Sequence, residues 1–298
     1  MVSNTTRRDF LKSSVVAAGA AAVAGSAVPA LAAKRSATDL VKLGRSNVEV
    51  TRLAFGTGTF GGRIQREMSQ EDFTRTVRHA YDRGIRFFES ADAYREMHEK
   101  LAIALKGIPR DSYKLMTKFR LREAADAKGT IDRYRKELNS DYFDILLMHC
   151  VRTADWPAEY TQLQDEISEA KEKKIVLSKG ASCHGLLPLR AFPGNKWLDV
   201  ALLRINHNGT RMDNLNPRSN EKGDAQEVVS HIKTIHGQGM GVIGMKLIGE
   251  GAFTNAADRD ASLKFVTQLG TVDSMTIGFK SPAEVDEAIE RIDAHLNA

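Results

Sequence analysis

The sequence of 298 residues is poor in cysteine and has no long apolar run within its body, and each shortage excludes a class of protein. Two cysteines are too few for a disulfide scaffold, a zinc ribbon or a cysteine-ligated iron–sulfur cluster. No apolar stretch of about 18 residues or more lies in the body, so no membrane span is expected there. The formal net charge is only +5 and no Lys/Arg run is present, so nucleic acid is not an expected partner. With 42% apolar and 7% aromatic residues, the chain is expected to fold.

The first 32 residues have the features of an export signal. Residues 6–12 read TRRDFLK, and residues 15–31 form a soft apolar run that is rich in Ala and Gly. The sequence Ala-Leu-Ala at residues 30–32 is a small-x-small cleavage site, and no Cys follows it that could carry a lipid anchor. The segment resembles a cleavable twin-arginine signal peptide, which implies the twin-arginine export machinery as a partner and a periplasmic or exported protein. The alternative is a cytoplasmic helix with a chance arginine pair.

Residues 33–298 alternate short apolar runs with amphipathic helices, which indicates one α/β domain without a stable membrane anchor. Eight of the apolar runs are expected to be β-strands, and they begin at Leu53, Ile85, Tyr113, Tyr142, Ile175, Leu198, Gly241 and Ser274. Ser69 to Asp72 form a capping box that predicts the start of one helix. Eight βα units in about 250 residues favour a closed (β/α)8 TIM barrel. An open doubly wound sheet is the alternative, but no G-x-G-x-x-G follows the first strand.

Chemically active side chains stand at the ends of successive strands. The second strand leads through Glu89 to Tyr94, and the next three end near Lys118, His149 and His184. In a TIM barrel the carboxyl ends of the strands surround the active site, so these side chains are expected to converge on one rim. Each alone has a structural explanation, such as a solvated lysine or a capped core histidine. No spacing of His, Asp and Glu resembles a set of metal ligands, so no metal site is expected.

Longer segments around these residues resemble the aldo-keto reductase family. Residues 84–94, GIRFFESADAY, resemble the segment around that family's catalytic tyrosine. Further segments match in chain order and cover nearly the whole mature chain, at residues 43–46, 55–62, 141–149 and 239–246. The resemblance implies a nicotinamide-dependent enzyme that acts on a small carbonyl compound or alcohol.

The resemblance also implies catalytic roles. Tyr94 is the implied general acid that protonates the developing alkoxide, and Lys118 is expected to lower the pKa of that phenol. His149 is expected to orient the carbonyl and donate a hydrogen bond to it. Glu89 stands where the family has Asp. We expect Glu89 to be ionised and to contact Lys118, with a shifted geometry because its side chain is one methylene longer.

A nicotinamide dinucleotide is the implied cofactor. The residues expected to contact it are Gly58, Ser182, Asn206, Lys246, Lys280 and Ser281. The chain departs from the family at Cys183 and Ala288, where asparagines usually hold the nicotinamide amide and the adenine. Lys280 and Ser281 suit the 2′-phosphate of NADP, whereas Glu284 stands where the family often has a polar or basic group. NADP is therefore expected, with NAD as the alternative.

The substrate side of the site is less defined. Trp156 is expected either to form a wall of the substrate pocket or to pack its own loop, and His184 is expected to contact the substrate. Residues 208–223 are polar and rich in Asn and Arg, which suits a hydroxylated ligand such as a sugar. Cys150 and Cys183 follow adjacent strand ends, which allows either a disulfide or two reduced thiols.

These patterns favour an exported oxidoreductase that interconverts an aldehyde or ketone and an alcohol. Because free nicotinamide nucleotide should be scarce outside the cytoplasm, we expect the cofactor to remain bound during export. The alternative is a barrel of the same type that binds a nucleotide as a sensor or partner module with little turnover. Glu89, Cys183 and Ala288 keep that alternative open. A barrel hydrolase or lyase would need another acid–base pair, and none is evident in the sequence.

Overall fold

Eight short parallel strands close into a barrel in chain order, and the last strand pairs with the first. Two antiparallel strands, β1 (Leu40–Lys42) and β2 (Glu49–Thr51), precede the barrel. The barrel strands are β3 (Leu53–Gly56), β4 (Phe87–Glu89), β5 (Lys114–Arg120), β6 (Phe143–Val151), β7 (Val176–Cys183), β8 (Val200–Arg204), β9 (Gly241–Met245) and β10 (Ser274–Gly278). The pairing of β10 with β3 confirms the closed barrel and excludes the open sheet.

This computed structural model describes residues 34–216 and 221–298. The expected twin-arginine segment and its cleavage site lie outside the described residues. Residues 35–298 form one compact unit. Among the described residues, no helix is both long enough and apolar enough to cross a bilayer.

Ten helices cover the barrel in the described part of the chain, and five of them begin at a side chain that caps the helix. The ten helices are α1 (Arg63–Glu67), α2 (Gln70–Asp82), α3 (Met97–Leu105), α4 (Ala127–Glu137), α5 (Trp156–Glu159), α6 (Thr161–Glu172), α7 (Leu186–Leu189), α8 (Ala225–Gly237), α9 (Ala256–Leu269) and α10 (Pro282–Leu296). Ser69 confirms the expected cap of α2, because its Oγ accepts a hydrogen bond from Asp72 N at 3.0 Å. The buried face of α2 carries Phe73 and Val77, which pack onto the outside of the barrel.

The hairpin of β1 and β2 closes the amino end of the barrel. Leu43, Val48 and Val50 are buried and join the cluster of side chains that fills the barrel interior. Gly44 has a φ of +48°, and a Cβ at this position would lie 2.4 Å from Gly239 O, so the tight approach of the hairpin requires glycine. With the amino end closed, the carboxyl ends of the strands are the open face of the barrel.

We expect Leu43→Ala to lower the free energy of unfolding by about 2–5 kcal/mol, because it removes a fully buried side chain from a packed interior. Leu40→Ala on the same hairpin is the matched control. Leu40 is 59% exposed, so its loss should change stability by no more than about 0.5 kcal/mol. Urea unfolding of both variants measures the difference. Equal losses would contradict a closing role for Leu43.

Candidate active site

The carboxyl ends of β4, β5 and β6 bring three of the expected catalytic residues together. A 3₁₀ turn, Asp92–Tyr94, follows β4 directly and carries the phenol to the open face of the barrel. The ring of Tyr94 packs edge-on against the imidazole of His149, with 5.5 Å between the ring centroids. The ammonium of Lys118 lies 4.7 Å from the centroid of the Tyr94 ring. The strand ends therefore surround one phenol with a cation and an imidazole, as the sequence indicated.

Lys118 and Glu89 form a buried ion pair beneath the phenol, which confirms the expected contact. Lys118 Nζ also donates to Ser90 O at 3.0 Å, and Glu89 Oε2 accepts from Thr276 Oγ1 at 3.3 Å. A Cβ at position 56 would lie 3.1 Å from Glu89 Oε2, so Gly56 leaves room for the longer carboxylate. Burial and the positive charge of Lys246 lower the pKa of Lys118, whereas a carboxylate in direct contact favours the charged ammonium.

The expected lowering of the Tyr94 pKa is not what the structure shows. Burial raises the pKa of the phenol, and the nearby Cys150 and Glu250 raise it further. The ammonium of Lys118 faces the ring of Tyr94 and donates to Glu89. Tyr94 is therefore a protonated donor at neutral pH rather than a poised base.

The two histidines at the rim are neutral. Burial lowers the pKa of His149, and the positive charges of Lys118 and Lys246 lower it further. Burial also lowers the pKa of His184, together with the positive charge of Arg204. A neutral imidazole has one N–H, and it can donate a single hydrogen bond to a carbonyl oxygen without releasing a proton.

An elongated cleft of about 490 Å³ leads away from Tyr94 across the ends of β3, β9 and β10 towards α10. Six of the expected site residues lie in its wall: Gly58, Glu89, Tyr94, Lys118, Lys246 and Lys280. A Cβ at position 58 would lie 2.5 Å from Tyr94 Oη, so only glycine allows the β3 loop to pass the phenol this closely. The volume of the cleft is that of a typical small-molecule site, and the cations in its wall suit a ligand that carries phosphates.

The far end of the cleft combines cations with carboxylates. Lys280 N donates to Glu284 Oε2 at 2.8 Å, and its ammonium lies 3.5 Å from Glu284 Oε1. Arg259 and Arg291 both contact Glu287, at 2.8 and 2.9 Å. All five side chains line the cleft. Lys280, one of the two residues expected to hold a 2′-phosphate, thus lines the same cleft as Arg259 and Arg291, and each of these cations is paired with an acidic neighbour.

Glu250 forms a hydrogen-bonded bridge across the cleft that the sequence did not predict. Lys246 Nζ donates to Glu250 Oε1 at 2.5 Å, and Phe60 N donates to the same oxygen at 3.0 Å. Glu250 thereby joins the loop after β9 to the loop after β3. Its only local signal was its place between Gly249 and Gly251, which predicts a turn but not a contact with a loop 190 residues away.

Trp156 lies in the core rather than in the wall of the cleft. It is fully buried, packs against Phe192 with 5.4 Å between ring centroids, and donates from Nε1 to Pro188 O at 3.3 Å. The structure therefore agrees with the alternative in which Trp156 packs its own loop.

His184 lies beside the end of β6, where its backbone N donates to Val151 O at 3.0 Å.

Three other residues that were expected to contact the cofactor form hydrogen bonds within the protein instead. The amide of Asn206 donates to Thr210 O and Lys246 O, at 2.7 and 3.1 Å, and thereby ties two loops together. Ser182 Oγ accepts from Cys150 N at 2.9 Å. Ser281 caps α10 by accepting from the N of Glu284, so its hydroxyl serves the helix start. None of these three side chains is in the wall of the described cleft.

Both cysteines are free thiols, so the disulfide alternative is not formed in this structure. Cys183 is buried, and burial raises the pKa of its thiol. Cys150 is partly exposed, and its Sγ accepts from Arg152 Nε at 3.3 Å.

A closed barrel with tyrosine, lysine and histidine on its rim is typical of one class of oxidoreductase, and comparison with known proteins agrees. A sequence profile of the Aldo/keto reductase family matches residues 52–296. The chain belongs to this family, whose members are NAD(P)-dependent oxidoreductases.

Curated relatives and solved structures share this assignment. The chain is 31% identical to "Probable aldo-keto reductase 1" of Glycine max, covering 51% of this chain and 49% of the relative. It is 30% identical to L-galactose dehydrogenase of Arabidopsis thaliana, covering 44% and 42%. The matches thus span half or less of these relatives.

The aldo-keto reductase AKR11C1 of Bacillus halodurans, in its holo form, has a TM-score of 0.68 at 16% identity, covering 87% of this chain and 95% of that chain. PA4992 of Pseudomonas aeruginosa has a TM-score of 0.71 at 19% identity, covering 88% and 99%. At these identities the solved structures show the shared fold.

With Lys118 charged beside Glu89, the pKa directions of His149 and Tyr94 predict a level rate of carbonyl reduction between pH 6.5 and pH 10. The pKa of His149 lies below its usual 6.5, and that of Tyr94 lies above its usual 10.0, so neither group titrates in this window. The rate should fall only at higher pH, where Tyr94 loses its proton. In Glu89→Gln, Lys118 loses its counter-charge and should release its proton within the window. Initial rates at saturating substrate measure both profiles, and an inflection in the parent enzyme would contradict the assignment.

Proposed function

We propose that the protein interconverts an aldehyde or ketone and the corresponding alcohol, with Tyr94 as the proton donor. The observation that carries this proposal is the Tyr94 phenol packed against Lys118 and His149, where the cleft meets the open face of the barrel. A carbonyl oxygen placed beside Tyr94 Oη would meet a proton donor and a neutral imidazole N–H. This is the arrangement that reduction of a carbonyl needs, because negative charge develops on that oxygen.

When bound, the nicotinamide supplies the hydride in reduction and accepts it in oxidation. The chain itself supplies the remaining groups. His149 donates a hydrogen bond to the carbonyl oxygen, and Tyr94 transfers its proton to the alkoxide. The phenolate that remains lies beside the ammonium of Lys118, which offsets its charge until the proton is replaced. Glu89 holds Lys118 in this place.

NADP is the proposed nucleotide, with its adenosine end at the α10 side of the cleft. Lys280, Arg259 and Arg291 give three positive charges there against the carboxylates of Glu284 and Glu287. The side chain of Lys280 is 63% exposed and is free to turn from Glu284 to a phosphate. Carboxylates also suit the hydroxyl groups of an unmodified ribose, which keeps NAD as the alternative.

A hydroxylated substrate such as a sugar is the proposed substrate class. The loop after β8 is rich in polar side chains, including Asn206, Asn208 and Asn214. The relative from Arabidopsis thaliana bears the name of a dehydrogenase that acts on L-galactose, a polyhydroxylated aldehyde. Both observations favour a substrate with several hydroxyl groups.

We propose that the protein is exported by the twin-arginine route and is periplasmic or exported. Residues 6–12 and 30–32 of the sequence support this proposal. That route carries folded proteins, so the nucleotide can load before export. We propose that it stays bound afterwards and is reduced by one substrate and reoxidised by a second at the same site. The bridge of Lys246, Glu250 and Phe60 across the cleft supports retention, because a nucleotide beneath it is enclosed by two loops.

Replacement of Tyr94 by Phe should lower kcat for carbonyl reduction by about two powers of ten or more, because the variant lacks the proton that the alkoxide needs. Nucleotide affinity should stay near that of the parent, since the removed hydroxyl is one of many groups that line the cleft. Stopped-flow rates and fluorescence quenching by NADPH measure the two quantities. Parent-like turnover in the variant would remove Tyr94 from the mechanism. Nucleotide binding without turnover in the parent would favour the sensor alternative.

Protein purified from the periplasm should carry close to one mole of nicotinamide nucleotide per mole of chain. Retention through purification requires a dissociation constant well below micromolar, which corresponds to a binding free energy beyond about −8.2 kcal/mol. Chromatography of the nucleotide released on denaturation measures both the amount and the choice between NADP and NAD. Arg7→Lys with Arg8→Lys is the matched control, and this variant should stay in the cytoplasm. Less than a tenth of a mole per mole, with weak rebinding, would contradict retention.

A further inference from the structure

Behind the catalytic turn lies a network of charges that the proposed reaction does not use. Asp92 is buried and stands two residues before Tyr94 within the 3₁₀ turn. Its Oδ1 accepts from Arg133 Nη1 at 2.9 Å. Arg133 belongs to α4, so this contact joins the turn to an element 41 residues further along the chain.

The guanidinium of Arg133 is fixed from several sides. The same Nη1 donates to Glu137 Oε1 at 2.6 Å, and Nη2 donates to Glu123 Oε2 at 2.6 Å. The guanidinium also lies 4.9 Å from the centroid of the Tyr134 ring. A planar fork with several donors suits three carboxylates at once, whereas a lysine ammonium is a point charge without this geometry.

The network returns to the site on its other side. Glu137 Oε2 and His98 Nδ1 are 2.8 Å apart, and His98 Nε2 is 2.7 Å from Thr117 Oγ1. Thr117 immediately precedes Lys118 on β5. One end of the network therefore attaches beside Tyr94, and the other attaches beside Lys118.

The ligand atoms of Asp92, His98 and Glu137 lie within 4.8 Å of one another, a spacing that a metal ion could bridge. In the structure, however, Arg133 already donates to both carboxylates. The guanidinium is the cation of this cluster, and the cluster is a brace rather than a metal centre.

Besides this network, the turn has a longer contact of Asp92 Oδ2 with Arg120 Nη1, at 3.8 Å, and the packing of the Tyr94 ring against His149. It is three residues long, and its own backbone contributes the hydrogen bonds from Tyr94 N to Ala91 O at 3.0 Å and from Arg95 N to Asp92 O at 3.1 Å. Arg95, which ends the turn, has a φ of +60°, a region that side chains other than glycine rarely adopt. A turn of this length needs an external contact to fix the direction of its side chains.

We propose that Arg133 is a positioning residue for Tyr94: by binding the buried Asp92, it fixes the 3₁₀ turn and so the direction in which the phenol presents its proton. The inference rests on the proposed function, in which Tyr94 is the proton donor. Proton transfer depends steeply on geometry, and a displacement of about 1 Å can cost about a hundredfold in rate. Arg133 touches neither substrate nor nucleotide in this assignment.

The test compares Arg133→Met with Arg135→Met on the same helix. Arg135 binds Asp132 at the surface, at 2.9 Å, and has no link to the turn. Loss of Arg133 should lower kcat for carbonyl reduction about 10- to 100-fold and leave KM for NADPH within about twofold, whereas loss of Arg135 should change neither. Circular dichroism checks the fold. If Arg133→Met does not fold, Asp92→Asn removes the same ion pair with nearly the same side-chain volume and should show the same pattern.

A double variant separates positioning from general destabilisation. In Tyr94→Phe, the further change Arg133→Met should cause no additional loss of rate, because Arg133 acts through a phenol that is no longer a donor. Losses that multiply would overturn the inference. Full kcat in a folded Arg133→Met, beside a strong loss in Tyr94→Phe, would also overturn it while the proposed function stands. Parent-like kcat in Tyr94→Phe alone would instead overturn the proposed function.

Discussion

The buried pair of Lys118 and Glu89 is the interaction on which the site depends. Both side chains are almost fully buried, so each charge would be strongly unfavourable without the other. Removing one partner of such a pair typically costs about 3–5 kcal/mol. The pair also reaches the seam where the barrel closes, because Glu89 meets Gly56 on β3 and Thr276 on β10. The ion pair beneath the phenol therefore also contacts the two strands that close the barrel.

The methylene that separates Glu89 from the aspartate of the family changes the character of the site. The longer carboxylate reaches the ammonium directly and draws its donors away from the phenol oxygen. Burial raises the pKa of Tyr94, so the phenol keeps its proton at neutral pH. Under the proposed function, carbonyl reduction uses this protonated phenol, whereas alcohol oxidation would use the phenolate.

Local patterns predicted the barrel strands, and the strand ends predicted that Tyr94, Lys118 and His149 meet. The eight strands begin within two residues of the predicted positions, because each is a short apolar run. Contacts between segments far apart in the sequence cannot be predicted from local patterns, as at Glu250 and Arg133. Polar residues were harder still. Asn206 could have faced a cofactor or its own loop, and its spacing is the same in either case.

The two ends of the described chain are held together, and this has a consequence for synthesis. Arg35 N donates to Asn297 Oδ1 at 2.9 Å, Ala37 N donates to Asp293 Oδ1 at 2.6 Å, and β3 finds a partner in β10. During translation, β3 leaves the ribosome long before this partner exists. A shortened chain would present an unpaired strand edge, which is prone to aggregate. Only a chain that includes β10 can cover that edge, so the topology itself distinguishes closed barrels from truncated chains.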